Sequence, residues 1–348
     1  MTKKILFFDA VAPYEYNFDI LDKKGLGASE SYLLAVANEL KKNFDVDICT
    51  KKVRYNYTQN DIVFKRLDLE SLKVDSLYNY DTIFIQRNPQ ALKILKNHYP
   101  KAKFYIWLHD FFESSIWSRF KKHELQYIVD NATLLCVSEW HMNNFKINLH
   151  YRGVDYVKID FIHFFIDDNK KISELNIPVD KNKLCFFSAG HKGLEFTLRI
   201  FEHLYKINNK FKLYIGNPTY DQEYNFENNN GSIIYLQNQT RNQVLYHMKT
   251  SLATLHLNNV YPETFGCVNA ESNMVGTPVL CYPIGATKEI INDPRQFVNP
   301  DPYRVDLHDL TTITETIFQW RRDGKRPKVN TPIILDKEKI LKKWNDLI

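Results

Sequence analysis

Short apolar runs alternate with longer amphipathic stretches from one end of the chain to the other. "KILFFD" (4–9), "VDIC" (46–49), "TIFIQ" (82–86), "KFYIWL" (103–108), "TLLCVS" (133–138) and "VKIDFI" (157–162) read as buried strands. Between them "ASESYLLAVANELKKN" (28–43) and "SRFKKHELQYIVDN" (118–131) carry the spacing of helices. Strand and helix in regular alternation predict a doubly wound parallel sheet of the α/β class.

The alternation breaks in "FFIDDNKKISELNIPVDKNK" (164–183), a polar, lysine-rich stretch with a proline, which reads as an interdomain linker. It restarts with "LCFFSAG" (184–190), "KLYIG" (212–216), "SIIYL" (232–236), "LATLHL" (252–257) and "TPVLCY" (277–282). Two similar α/β halves follow one another, and ligands of such sheets bind where the strand C-termini open, so a cleft between the halves is the expected site. In the last segment, "LDKEKILKKWNDLI", Leu335, Ile340, Leu341, Trp344, Leu347 and Ile348 fall on roughly one helix face, which needs a hydrophobic surface to cover. "DFFESSIWSRFKKHEL" (110–125) mixes aromatics with a basic pair, and is read as core rather than as a surface for an acceptor or a lipid.

Composition narrows the class without naming a function. With 348 residues and 44% hydrophobic content, the chain can build two cores of ordinary size. Neither a charged-then-apolar leader nor a membrane-spanning apolar run is evident, so a soluble, cytoplasmic protein is expected, with any membrane association peripheral. The cysteines, Cys49, Cys136, Cys185, Cys267 and Cys281, stand singly and read as reduced thiols. The formal charge of +5 is dispersed; it leans towards an anionic ligand and falls short of a nucleic-acid footprint. With no HExxH and no His/Cys cluster, no metal site and no cofactor are expected.

The stretch "YPETFGCVNAESNMVGTPVL" (261–280) carries the chemistry. Glu263 and Glu271 stand in an otherwise buried-looking segment, where an ionised carboxylate needs a partner. Thr264 is placed to cap a helix running to about Met274, and Gly276-Thr277-Pro278 to end it. On one helix the two glutamates would stand about 12 Å apart along the axis, with the amides of Thr264, Phe265 and Gly266 between them offered to phosphate oxygens. The pattern suits equally a capped helix with one dipole-stabilising glutamate and one facing solvent.

The segment resembles the signature of retaining family 4 glycosyltransferases of the GT-B fold: Pro-Glu-x-Phe-Gly, a second glutamate after seven residues, then Gly-x-Pro-Val. The resemblance implies two Rossmann-like doubly wound domains facing a cleft, with residues 1–165 taking the acceptor, 166–330 binding the nucleotide sugar, and a C-terminal helix (331–348) packing back on the first domain. It implies that Glu263 contacts the donor sugar and Glu271 the ribose. "FFSAGHKGLEFTLRIF" is similar to the family's phosphate-binding stretch, with Lys192 before Gly193-Leu194 directed at the diphosphate. A second basic residue usual a few positions earlier is replaced here by Ser188, Gly190 and His191. His109, in "WLHDFF", matches the histidine that reaches the sugar near its reactive carbon, and Asp110 beside it could orient the ring or meet the acceptor.

"KKGLGASESYLLAVANEL" resembles the family's glycine-rich first loop, which makes Gly25 and Gly27 nucleotide-binding candidates; Ser188, Gly190 and the strand-end Gly216 complete that set. Gly285, in "YPIGATKEII", reads as a turn without a Cβ to obstruct a close ligand. The implied reaction transfers a sugar from a nucleoside diphosphate to a hydroxyl of a glycan, lipid-linked sugar or small molecule, with retention. A sugar-nucleotide epimerase and a degenerate binding or scaffold subunit are the rival readings, and the oligomeric state is left open.

Overall fold

The computed structural model describes residues 2–67, 79–114, 116–166, 170–216, 231–298, 307–322, 325–330 and 332–348. Residues 167–169 of the expected linker lie outside the described residues. Two compact units form: Met1–Asp19, Ala28–Phe164 and Lys337–Ile348 make the first, Ile20–Gly27 and Phe165–Asp336 the second.

The first unit holds an eight-stranded sheet of order β3-β4-β2-β1-β5-β6-β7-β8. Its strands are β1 (Lys4–Asp9), β2 (Asp45–Thr50), β3 (Tyr57–Gln59), β4 (Ile62–Arg66), β5 (Thr82–Gln86), β6 (Lys103–Trp107), β7 (Thr133–Cys136) and β8 (Ile159–Phe161). The helices in this part of the chain are α1 (Phe18–Lys23), α2 (Ala28–Leu40), α3 (Leu92–His98), α4 (Lys122–Asn131) and α5 (Glu139–Tyr151). Pairing is parallel throughout except for β3 against β4. Central strands such as β1 and β5 are buried along nearly their whole length, as strands covered on both faces must be. β8 is the exception to the expected burial: it is an edge strand whose residues are half-buried or exposed. Phe112, Trp117 and Phe120 lie in the core, as the aromatic stretch after β6 suggested.

The hairpin β3–β4 is absent from the sequence expectations. Its link, Asn60-Asp61, takes φ of 50° and 57°, the two left-handed residues of a tight hairpin turn. That Asn-Asp pair before "IVF" was the available signal.

The second unit has a five-stranded, wholly parallel sheet of order β11-β10-β9-β12-β13. Its strands are β9 (Asp180–Phe186), β10 (Lys212–Gly216), β11 (Ile233–Leu236), β12 (Ser251–His256) and β13 (Val279–Cys281). Its helices are α6 (Lys170–Ser173), α7 (Leu194–Ile207), α8 (Arg241–Lys249), α9 (Cys267–Met274), α10 (Thr287–Ile290) and α11 (Leu307–Arg321). Leu194, Ile200, Phe201 and Leu204 of α7 fill the core beside Leu184, Phe186, Leu213 and Leu255 of the sheet.

The last helix, α12 (Lys337–Leu347), belongs to the first unit. Trp344 is fully buried there, with ring centroids 4.9 Å from Trp107, 5.2 Å from Phe84 and 6.4 Å from Phe7. Lys337 Nζ pairs with Glu39 of α2 at 2.9 Å, and Lys103 Nζ and Tyr105 Oη donate to the Leu347 carbonyl at 2.8 and 3.0 Å. The apolar face read in the last segment thus closes on aromatic side chains of β1, β5 and β6.

Candidate active site

The site in the second unit is assembled from the chain that follows β12. Asn258 organises the turn: its Oδ1 accepts from Val260 and Tyr261 N–H at 3.2 Å each, and its Nδ2 donates to the Tyr261 carbonyl at 2.7 Å. This turn delivers Glu263 to a buried position, 6% exposed. Lys192 Nζ faces both carboxylate oxygens, at 2.9 and 3.0 Å. Asn258 Nδ2 donates to Oε1 at 3.3 Å, and His256 Nε2 stands 3.3 Å from the same oxygen. Burial alone would raise the Glu263 carboxyl, but Lys192 and then His256 outweigh it and hold the group well below the ordinary carboxylate range. Glu263 is therefore an anion at neutral pH, with a lysine one-third exposed in front of it.

Two glycines allow this closeness. Gly193, at φ +95°, precedes α7, and a Cβ there would come within 2.5 Å of the Leu257 carbonyl oxygen. Its absence lets the Lys192 turn lie against the end of β12. Gly285, at φ +62°, leaves room for the Glu263 backbone, whose carbonyl oxygen a Cβ would approach to 2.3 Å; the Ala286 N–H donates to that carbonyl at 2.7 Å. What presses on Gly285 is thus the chain carrying Glu263, where the sequence suggested a ligand.

The helix after Glu263 starts later than expected. Gly266, at φ 93° and ψ 57°, is the N-cap of α9, and Thr264 is not. A left-handed residue ends the turn, so the first helical amide belongs to Cys267. Glu263 lies ahead of the helix, and the 12 Å axial spacing to Glu271 does not apply. Phe265 is buried, and Thr264 is half-buried in the turn. The inner face of α9 is polar and hydrogen-bonded: Ser272 Oγ lies 2.7 Å from Thr254 Oγ1, Asn273 Nδ2 donates to Gln296 Oε1 at 2.9 Å, and Asn269 Oδ1 lies 2.7 Å from His256 Nδ1.

Glu271 pairs with a residue the sequence did not single out. Arg241 Nε donates to Glu271 Oε1 at 2.7 Å, from the first position of α8. The Cys267 thiol reports the charges about the start of α9: burial first, then Glu271 and Glu263, push it up, while Lys192 and Arg241 pull it down. Among the described residues, Glu263, Glu271, Lys192 and Arg241 thus act electrostatically on the start of α9, an end of the helix that itself favours an anion.

The remaining nucleotide-binding candidates also belong to the second unit. Ser188 is buried and Gly190 half-buried in the loop after β9, where Lys192 N–H donates to the Ala189 carbonyl at 2.9 Å and Leu194 N–H to that of Gly190 at 3.1 Å. Gly216 ends β10 under the Phe187 ring, 2.7 Å from where a Cβ would sit. Gly25 and Gly27 group with this unit, and Gly25 N–H donates to the Gln239 carbonyl at 2.8 Å, two residues before Arg241.

His109 stands in the first unit, just beyond β6, between the rings of Trp107 (4.9 Å) and Phe164 (5.8 Å). Burial, then Arg87 and His141, drive its pKa well below the usual histidine range, so the ring is neutral. His141 accepts from Val137 N–H at Nδ1 (3.4 Å), so its Nε2–H donates to the Asp110 carbonyl (2.9 Å) and pins the backbone beside His109. At the ends of β1 and β5, Asp9 accepts from Tyr16 Oη and Gln86 Nε2, and Glu30 from Arg87, Ser29 and Tyr14. Arg87 takes φ 56°, a strained setting for a side-chain-bearing residue. Among the described residues no three His, Cys, Asp or Glu converge as a metal site, and no helix is long and apolar enough to cross a membrane.

The sequence model described as "Glycosyl transferases group 1" matches residues 167–307, the span that contains Lys192, Arg241, Glu263 and Glu271. This segment is similar to the glycosyl transferases group 1 family. Comparison with curated proteins gives no match. Among solved structures, sucrose-phosphate synthase from Thermosynechococcus elongatus superposes with a TM-score of 0.64 at 13% identity, over 99% of this chain and 98% of that one. A glycosyltransferase from Rickettsia africae gives 0.60 at 15%, over 99% and 98%. An α-glucosyltransferase in complex with UDP-glucose and DNA containing an abasic site gives 0.59 at 14%, over 92% and 90%. The fold is GT-B, with two Rossmann-like domains, and the matched segment lies within the second unit.

Proposed function

We propose that the chain is a retaining glycosyltransferase that moves a sugar, of hexose type, from a nucleoside diphosphate to a hydroxyl acceptor. The observation that carries this reading is the ion pair between Lys192 and the buried Glu263 just ahead of α9, inside the segment matched by the glycosyl transferases group 1 model. A carboxylate held ionised by a lysine can accept hydrogen bonds from sugar hydroxyls, and the ammonium is a point charge for phosphate. Glu271 is assigned to the ribose. The neutral His109 imidazole is assigned to the sugar near its reactive carbon.

In the proposed step the bond from the anomeric carbon to the leaving phosphate oxygen breaks as the acceptor oxygen bonds to the same face of that carbon. The acceptor proton passes to the departing phosphate. Charge developing on the diphosphate is met by Lys192 and the amides of the α9 N-terminus, which are preorganised donors, so turnover without a divalent cation is expected. No carboxylate nucleophile is required.

The test is product stereochemistry. With a panel of α-linked nucleotide sugars and simple glycoside acceptors, NMR of the anomeric proton in the first product should show an α-linkage, and Glu263→Gln should lower turnover by about 10²- to 10³-fold, as loss of one transition-state contact does. A β-linked product abolished by Asp110→Asn would overturn the mechanism, because an inverting enzyme needs a general base at the acceptor.

A further inference from the structure

The partners of Glu263 are divided unevenly between its two oxygens. Oε1 accepts from Lys192 Nζ at 2.9 Å and from Asn258 Nδ2 at 3.3 Å, and His256 Nε2 stands 3.3 Å from it. Oε2 accepts from Lys192 at 3.0 Å, its one hydrogen bond among the described residues. An ionised carboxylate has about four lone-pair sites over its two oxygens, so Oε2 is the oxygen with room to accept from a further hydroxyl.

His256 ends β12 and is buried, 3% exposed. An oxygen faces each of its ring nitrogens: Asn269 Oδ1 lies 2.7 Å from Nδ1, and Glu263 Oε1 3.3 Å from Nε2. Two ring states suit these neighbours. An imidazolium donates at both nitrogens. A neutral ring protonated at Nε2 suits them once the Asn269 amide turns over, exchanging two atoms of nearly equal size, so that Nδ2 donates to Nδ1. That turn also gives a partner to Asn269 Nδ2, a buried donor otherwise without a hydrogen bond. The third state, protonated at Nδ1 alone, sets a ring lone pair against a buried anionic oxygen, which the low local dielectric makes costly. Both favoured states put the proton on Nε2, beside Oε1. That contact lacks the alignment of a full hydrogen bond, and catalytic hydrogen bonds often stay long until the transition-state complex tightens them.

We propose that His256, held at Nδ1 by Asn269, is a positioning residue for Glu263: its Nε2–H holds Oε1, which leaves Oε2 to accept from a hydroxyl of the donor sugar. The proposal rests on the glycosyltransferase reading above and on the assignment of Glu263 to the sugar. His256 itself touches neither sugar nor nucleotide; it acts through the carboxylate.

Two measurements on the full chain test it. Nitrogen-15 shifts of the His256 ring should show a proton on Nε2 at neutral pH; a ring protonated at Nδ1 alone would overturn the proposal, whatever the activity. Transfer is then assayed with UDP-, GDP- and ADP-linked hexoses and simple glycoside acceptors. His256→Phe, which keeps a ring without the donor, should lower kcat by about 10- to 150-fold, the range of a lost hydrogen bond to a charged group. Calorimetric affinity of the same variant for the matching nucleoside diphosphate should stay within about threefold of the parent, since the lost contact serves the sugar end. His256→Gln, whose amide can donate to Oε1, should recover part of the kcat. Unliganded melting temperatures establish that the variants fold. An unchanged kcat in folded His256→Phe would overturn the proposal, and so would equal losses in kcat and diphosphate affinity, since His256 would then only support the fold. If the folded parent transfers no sugar and binds no diphosphate while Nε2 carries its proton, the glycosyltransferase reading fails and takes the positioning role with it.

Discussion

Asp9 and Glu263 are both buried carboxylates near the C-terminal ends of central strands, and their surroundings shift them in opposite directions. Asp9 ends β1, where burial raises its pKa against the partial opposition of Arg87. Its hydrogen-bond donors are neutral: Val11 and Ala12 N–H, Tyr16 Oη and Gln86 Nε2. Glu263 is buried as well, yet Lys192 in direct contact holds it ionised. The contrast separates two uses of buried charge on similar sheets. Asp9 holds the loops after β1 and β5 through neutral donors, whereas Glu263 keeps its cation, Lys192, at a partly open position.

The largest way to break the comparison is to damage one core and spare the other unit's site. Trp344→Ala removes a fully buried indole from among Trp107, Phe84 and Phe7 and should cost about 3 to 5 kcal/mol in urea unfolding. Nucleotide affinity measured well below the unfolding transition should stay within about twofold of the parent, because the residues assigned to the nucleotide all lie in the other unit. A large affinity loss in a folded Trp344→Ala protein would show that the two regions do not behave separately.

Next in size is the pair at the site itself. Lys192→Ala leaves the Glu263 carboxylate buried without its cation and should destabilise the fold by about 1 to 3 kcal/mol; Glu263→Gln leaves an ammonium that can reach water and should cost less. The same Lys192→Ala variant should weaken diphosphates by more than it weakens nucleosides. Equal unfolding midpoints for the two variants would mean that the pair is solvated like a surface ion pair and that Glu263 is not the buried partner.

Much of this was legible in the sequence, and what was not has physical reasons. The strand runs are local patterns, which periodicity reveals, and Glu263, Glu271 and Lys192 stand out in the sequence only through motif spacing and the resemblance it carries. The Arg241–Glu271 ion pair has no sequence signal because its partners lie 30 positions apart. Thr264 was taken for the cap because threonine caps helices well, but Gly266 in a left-handed conformation delays the helix to Cys267. Gly285 reads as a turn glycine in the sequence, and only the fold brings the Glu263 backbone against it. The network of Asp9, Glu30 and Arg87 joins three separated segments, and no spacing rule announces it.

The smallest effect tests the comparison by its sign. A carboxyl whose folded pKa is depressed adds stability that is fully present above its unfolded value, about 4.3 for glutamate, and is lost as pH falls through the lower folded value. Glu263 is such a group. A carboxyl whose folded pKa is raised behaves in the opposite way: between about 3.9, the unfolded value for aspartate, and its folded value, the native state holds a proton that the unfolded chain has released, so stability falls as pH rises. Asp9 is that group. Asp9→Asn keeps an oxygen for the Val11 and Ala12 amides, and its NH2 can donate to Tyr16 Oη and, once the Gln86 amide turns over, to Gln86 Oε1, so at pH 7 it should lie within about 1 kcal/mol of the parent. Urea unfolding from pH 3 to pH 7 should show the parent losing ground to Asp9→Asn as pH rises and gaining ground on Glu263→Gln. If both difference curves slope the same way, one of the two carboxylates has been assigned the wrong surroundings, and the variant with the reversed slope identifies which.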